Sequence, residues 1–188
     1  MAYHFLLSLF STPQEANAIE GDLIEEGATD TQYVRAIATL AFAPFRESPF
    51  TMIGVGILAL AGSWPLAWLT MQAAQSLVVN VPVYDYVLAT TFWQAVAFPP
   101  MVCVGLILSL VMGRRAMSAA IATFLAMAFI VCVIDPAVML FLGPARPQQV
   151  SMMFWISRAV YALAAWGGVV LLSTAIGITL RRQIRIAR

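Results

Sequence analysis

The sequence predicts an all-α fold: a four-helix transmembrane bundle with a small N-terminal helical subdomain. Three observations predict it. The first is composition. Of 188 residues, 62% are hydrophobic and 10% charged, with a mean hydropathy of +0.88, whereas a soluble domain carries about 25% charged residues. Such a chain has too little polar surface to stay wetted as a monomer, which places it among integral membrane proteins. The second is four apolar runs, each long enough to cross a bilayer core of ~30 Å. The third is the distribution of charge. Residues 1–50 hold seven acids and two bases, while residues 51–188 hold two acids and eight arginines. The N-terminal region is therefore chemically distinct, and the boundary falls between a prefix at 1–48 and a bundle at 49–188.

The prefix reads as three short helices. Residues 2–10 are apolar except for His4 and Ser8, which are four apart and share a helical face. The start MAYHFLLSLF lacks a basic n-region and a small-residue cleavage site, so it is expected to be retained. Thr12 then caps a second helix, with Pro13 in its first position and Glu15 completing a capping box. Its apolar stripe is Ala16, Ile19 and Leu23, and Gly27 stops it. Asp30 or Thr31 caps a third helix, TQYVRAIATLAFA, which Pro44 is expected to end. About fifty residues bury little surface alone, so the prefix should lean on the membrane part. Glu20, Asp22, Glu25 and Glu26 form an acidic face that suits docking of a protein partner. The plainer reading of that face is simple solvation. The carboxylates lack the alternating spacing of an EF-hand loop, which argues against calcium.

The stretch LLSLFSTPQEANAIEGDLIEEG, with the element Ile19-Glu20-Gly21-Asp22-Leu23-Ile24-Glu25-Glu26, resembles a known family. It is similar to the N-terminal prefix domain found ahead of some bacterial MacB-like ABC permeases and in stand-alone four-helix membrane proteins. The large periplasmic domain of such permeases is not accommodated in this chain. The resemblance implies a docking or regulatory prefix on a bacterial membrane protein.

The four spans are expected at about 51–74, 88–112, 119–142 and 152–180. Arg46, the pair Arg114 and Arg115, and Arg181, Arg182, Arg185 and Arg188 fall on one side, and Arg146 on the other. The positive-inside rule then puts both termini in the cytoplasm of a bacterial inner membrane, with loops 75–87 and 143–151 outside. Trp64, Trp68, Trp93 and Trp155 fall in the outer half, where indoles favour the interface. Small residues recur four apart at Ala59 and Ser63, Ala122 and Ala126, Ala164 and Gly168, and Ser173 and Gly177, the pattern of close helix packing. Pro65, Pro99–Pro100 and Pro136 interrupt spans one, two and three, as tolerated kinks or as the broken helices that line transporter sites.

The third and fourth spans each carry one charge, Asp135 and Arg158, at nearly equal depth on either side of a short connection. One ionised group near mid-membrane costs roughly 2.5–3.5 kcal/mol on insertion scales, so the two are expected to pair, with Gln94 a polar neighbour; the competing readings are that each points separately to an aqueous pocket, or that Arg158 snorkels to the outer interface. Arg114, Arg115, Arg181, Arg182 and Arg185 suit anionic lipid headgroups, at ~1 kcal/mol per charge, the plainer reading being simple topology anchors.

Much chemistry is missing. His4 is the single histidine and lies outside every span, which excludes a bis-histidine haem. Cys103 and Cys132 lie in apolar runs, behave as small hydrophobes there, and have no zinc-type partners. No phosphate-binding glycine loop occurs; GVGILALAG lacks the lysine and the strand. No catalytic residue, cofactor, metal or nucleic-acid partner is expected. The expected function is that of a non-catalytic accessory or regulatory subunit of a membrane complex. The alternative is a small transporter or permease component with a polar site near Asp135 and Arg158.

Overall fold

A computed structural model describes residues 2–77, 86–134 and 162–186, together with positions 137, 156, 159 and 160. Among the described residues the chain is all-helical, with seven α-helices and no strand. The prefix holds α1 (Ala2–Phe10), α2 (Pro13–Glu25) and α3 (Asp30–Glu47). The long helices are α4 (Pro49–Leu77), α5 (Tyr86–Val111), α6 (Ala116–Phe129) and α7 (Gly168–Ile186). A 3-10 turn at Gly113–Arg115 leads into α6, a π turn at Ile130–Ile134 extends it, and a second π turn at Ala162–Gly167 leads into α7.

The local signals of the prefix act as their spacing dictates. The Glu15 N–H donates to Thr12 Oγ1 at 3.2 Å, and the Thr12 N–H donates to Glu15 Oε2 at 2.8 Å, closing the capping box. At the other end of α2, Gly27 takes φ +63°. The Ala28 N–H then reaches the Leu23 carbonyl at 2.8 Å and the Gly27 N–H reaches Ile24 at 3.0 Å, the two bonds of a Schellman stop.

Two expectations for α3 need correction. Its cap is Thr29 rather than Asp30 or Thr31, because the Thr29 N–H finds the Gln32 side chain at 2.7 Å in a second capping box. Pro44 does not end it. The helix continues to Glu47, and the break comes at Ser48 with φ −148°. Proline removes only its own N–H, and the Pro44 carbonyl still accepts from the Ser48 N–H at 3.0 Å. Pro65, Pro99 and Pro100 likewise sit inside α4 and α5 without ending them. Pro136 lies outside the described residues.

Among the described residues, three stretches are long and apolar enough to cross a membrane: Pro49–Thr70, Gly113–Ile134 and Ala162–Ile184, with a shorter apolar helical stretch at Phe98–Val111. The helix that begins at Gly168 does not stop at Leu180 but runs on through the arginines to Ile186. The surface of α4–α7 is the reverse of a soluble bundle. Large apolar side chains face outward, with Leu58 72%, Leu110 65%, Val111 75% and Leu172 63% exposed. The interior is built largely of small residues, including Ala119, Ala120, Ala122, Ser109, Thr123, Ser173 and Thr174. Water would penalise that arrangement, whereas in hydrocarbon small buried residues are what let helices approach. Cys103 and Cys132 also face outward and are unpaired, rather than filling the core.

Two close approaches fix the helix directions. Where Gly105 of α5 meets α7, an added Cβ would lie 2.7 Å from the Val170 carbonyl oxygen, and one at Gly177 would lie 2.7 Å from Ser109 Cβ. Thr174 Oγ1 donates to the Gly105 carbonyl at 3.2 Å. The partners rise together in number, so α5 and α7 run parallel. In the same way Arg115 meets Glu47 at 3.0 Å and Gly56 abuts the Ala122 carbonyl, so α4 and α6 run parallel. Gly113, at φ +57°, turns the chain back between α5 and α6. The start of α4, the end of α5, the start of α6 and the end of α7 therefore share one end of the bundle. The prefix sits on that end, where Ser118 Oγ donates to the Ala41 carbonyl at 2.9 Å.

Candidate functional site at the prefix–bundle junction

Consecutive residues of α7 hold two different helices by their C-termini. The last carbonyls of any helix have no partner within it. Arg181 Nη1 donates to the Ser109 and Leu110 carbonyls at the end of α5, at 3.2 and 3.4 Å. Arg182 Nη2 donates to the carbonyls of Ser8 and Ser11 at the end of α1, the latter at 2.9 Å. In each case a cation also meets the negative end of a helix dipole. The serines of α1 support this end, Ser11 Oγ donating to the Leu7 carbonyl at 2.8 Å and Ser8 Oγ to Phe5 at 2.7 Å. Arg181 and Arg182 are thus structural as well as basic. Sequence reading gave them to topology and to lipid headgroups, since it shows a charge but not the carbonyl that meets it.

The other arginines of this end are more open. Arg114 Nη1 lies 3.8 Å from Glu15 Oε1, with three quarters of its side chain exposed (76%). Arg115 pairs with Glu47 at 3.0 Å on the surface. The Arg185 side chain lies outside the described residues. A cavity of about 420 Å³ separates these elements, lined by Leu9, Ser11, Thr12, Pro13, Ser109, Gly113, Arg114, Ile178, Arg181 and Arg182. Beside it, the Thr12 backbone N–H holds the Glu15 carboxyl below the usual carboxylate range, helped by the Thr12 hydroxyl and, least, by Arg114.

The acidic face divides in two. Glu20 is turned inward to His4, with Oε2 2.7 Å from Nδ1. Asp22, Glu25 and Glu26 are exposed, and no ion pair among the described residues engages them. Near them Tyr3 stacks on Tyr33 with ring centroids 4.7 Å apart, and a hydrogen bond to Asp30 raises the Tyr3 phenol above its ordinary value.

The intramembrane pair of Asp135 and Arg158 lies outside the described residues, as do Trp155 and the loop at 143–151. Gln94 is on α5, but its side chain is outside the described set. The described backbone on either side of the pair is irregular, with π turns at Ile130–Ile134 and Ala162–Gly167. Trp166, in the second turn, keeps a buried Nε1–H with no acceptor among the described residues. Among the described residues no His, Cys, Asp and Glu cluster could hold a metal. Compared with known proteins, the chain matches no family model, no curated protein and no solved structure.

Proposed function

We propose that this chain is a non-catalytic, four-span protein of a bacterial inner membrane that serves as an accessory or regulatory subunit, presenting its prefix to a protein partner. One observation carries the reading. The prefix is fastened to the end of the bundle through Arg182, Ser118 and the Arg115–Glu47 pair, while Asp22, Glu25 and Glu26 are exposed and have no ion-pair partner among the described residues. A rigidly mounted acidic face suits recognition better than a free tail does, because less ordering entropy is lost on binding. The prefix resemblance points the same way. The arginine-rich end, with Arg46, Arg114, Arg115, Arg181 and Arg182, is on this reading the cytoplasmic end, which puts both termini inside and α5 across the membrane as the fourth span.

The test is cross-linking in native membranes followed by purification. Replacing Asp22, Glu25 and Glu26 together by their amides should leave the protein inserted and folded but abolish the cross-linked adduct. An adduct recovered in equal yield from that variant would refute the docking role.

A second reading, a small transporter or permease component with a polar site near Asp135, Arg158 and Gln94, is favoured by the two π turns and the unmet Trp166 donor. Such turns recur at functional sites, and Pro136 has no N–H to offer the Cys132 carbonyl four residues earlier. A substrate-dependent change in Trp166 fluorescence, with the other four tryptophans replaced, would favour this reading over the first.

A further inference from the structure

We infer that the cavity between the α1–α2 junction and the ends of α5 and α7 binds a phosphate group, carried by a lipid headgroup or free in solution. The inference rests on α4–α7 lying in a membrane, but on neither the partner-docking role nor the orientation. Three guanidiniums line the cavity, from Arg114, Arg181 and Arg182. Among the described residues one carboxylate answers them, Glu15, and only across 3.8 Å to Arg114. Two of the three are already held in place. Arg181 spends Nη1 and Arg182 spends Nη2 on backbone carbonyls, and a guanidinium has five N–H donors, so each retains donors while its position is fixed. Arg114, largely exposed, is free to close over an oxyanion. Arginine is the side chain whose planar fork matches phosphate in a bidentate way.

The α2 helix adds to this field. Thr12 and Pro13 line the cavity, so the first turn of α2 borders it. Pro13 has no N–H, the Glu15 N–H is taken by Thr12, and the Gln14 N–H has no acceptor within the helix. The positive end of a helix dipole therefore adjoins the three arginines. The opposing dipole, at the end of α5, is already met by Arg181. The remaining lining includes the apolar Leu9 and Ile178 beside Ser11 and Ser109, and the neighbouring Leu110 and Val111 are among the more exposed of the large apolar residues described. The volume, about 420 Å³, is many times the ~30 Å³ share of one liquid water. A phosphate ester with part of a glyceryl group meets both kinds of lining.

The test uses the full chain, delipidated in a neutral detergent and titrated with phosphatidylglycerol, the phosphate-free lipid diacylglycerol, or inorganic phosphate, with retention read by native mass spectrometry and by Tm. Phosphatidylglycerol should bind at least about tenfold tighter than diacylglycerol, and R114Q should weaken it by about tenfold, the size expected for one charged hydrogen bond. R35Q, on the exposed face of α3, should change nothing. Because Arg114 is exposed and tied only loosely to Glu15, R114Q leaves the fold standing where R181Q could unfold it. Competition by inorganic phosphate would support the site and assign a free anion as a source; its absence with phosphatidylglycerol bound would assign the headgroup. Equal binding of the two lipids, or equal effects of R114Q and R35Q, would overturn the inference. Failure of the chain to fractionate with membranes would instead remove the premise on which it rests.

Discussion

Gly105→Ala probes a close approach within the bundle. The new methyl would lie 2.7 Å from the Val170 carbonyl oxygen, a backbone atom that cannot swing aside. Either α5 and α7 separate or the methyl is compressed. Overpacking of this kind costs about 1–3 kcal/mol. Separation would also stretch the 3.2 Å bond from Thr174 Oγ1 to the Gly105 carbonyl, worth ~1 kcal/mol. Alanine recovers ~1 kcal/mol through its better helix propensity, leaving a net loss of about 1–3 kcal/mol. For a chain of this length each kcal/mol moves Tm by ~2–4 °C, so the variant should melt roughly 2–12 °C lower in detergent. Gly62→Ala is the matched control. Nothing lies within 4 Å of a Cβ added there, so only the propensity gain remains and Tm should hold or rise. Equal melting of the two variants would show that α5 and α7 do not meet at Gly105.

Three further outcomes are expected. Arg182→Gln should loosen α1 from α7 without ejecting the long helices, read as faster protease cleavage around residues 11–13 at unchanged membrane fractionation. Acidification should melt the start of α2: the Glu15 pKa is lowered in the folded chain, so its contribution is present above the ordinary carboxylate value and is lost as pH falls through the lowered one, read by hydrogen exchange at Ala16. Asp135→Asn and Arg158→Gln should each destabilise the protein while the double substitution recovers much of the loss, because an unpaired buried charge costs more than none; strictly additive losses would dissolve the pair.

What was legible in the sequence was local or compositional. The Thr12–Glu15 box and the Gly27 stop depend on contacts within a few residues, and such spacing survives folding unchanged. The cap of α3 was misplaced by a residue or two, since Thr29, Asp30 and Thr31 all suit the role and only the Gln32 side chain chooses between them. Pro44 misled for a related reason: a proline near the last turn forfeits little, so the helix passes it. The packing of α5 on α7 was half visible. Ser173 and Gly177 stood out as a small pair, but their counterparts Gly105 and Ser109, spaced the same way in the stretch VGLILS, did not. Least legible were Arg181 and Arg182. Their charge is plain in the sequence, but their acceptors lie far away in the chain, and nothing local announces them.

The reach of Arg182 has a consequence for how the molecule is made. Its acceptors, the carbonyls of Ser8 and Ser11, lie 174 and 171 residues earlier in the chain. At ~5–20 residues per second, a ribosome needs roughly 10–35 s to travel that distance. Throughout that interval the first helix exists without its anchor, and the helices that will carry the anchor are still unborn. The contact forms only once α7 has entered, so a nascent chain stalled before it lacks the Arg182 tie on α1 and keeps the contacts that the prefix makes with Arg115 and Ser118. The same arginine therefore distinguishes a chain that has inserted α7 from one that has not.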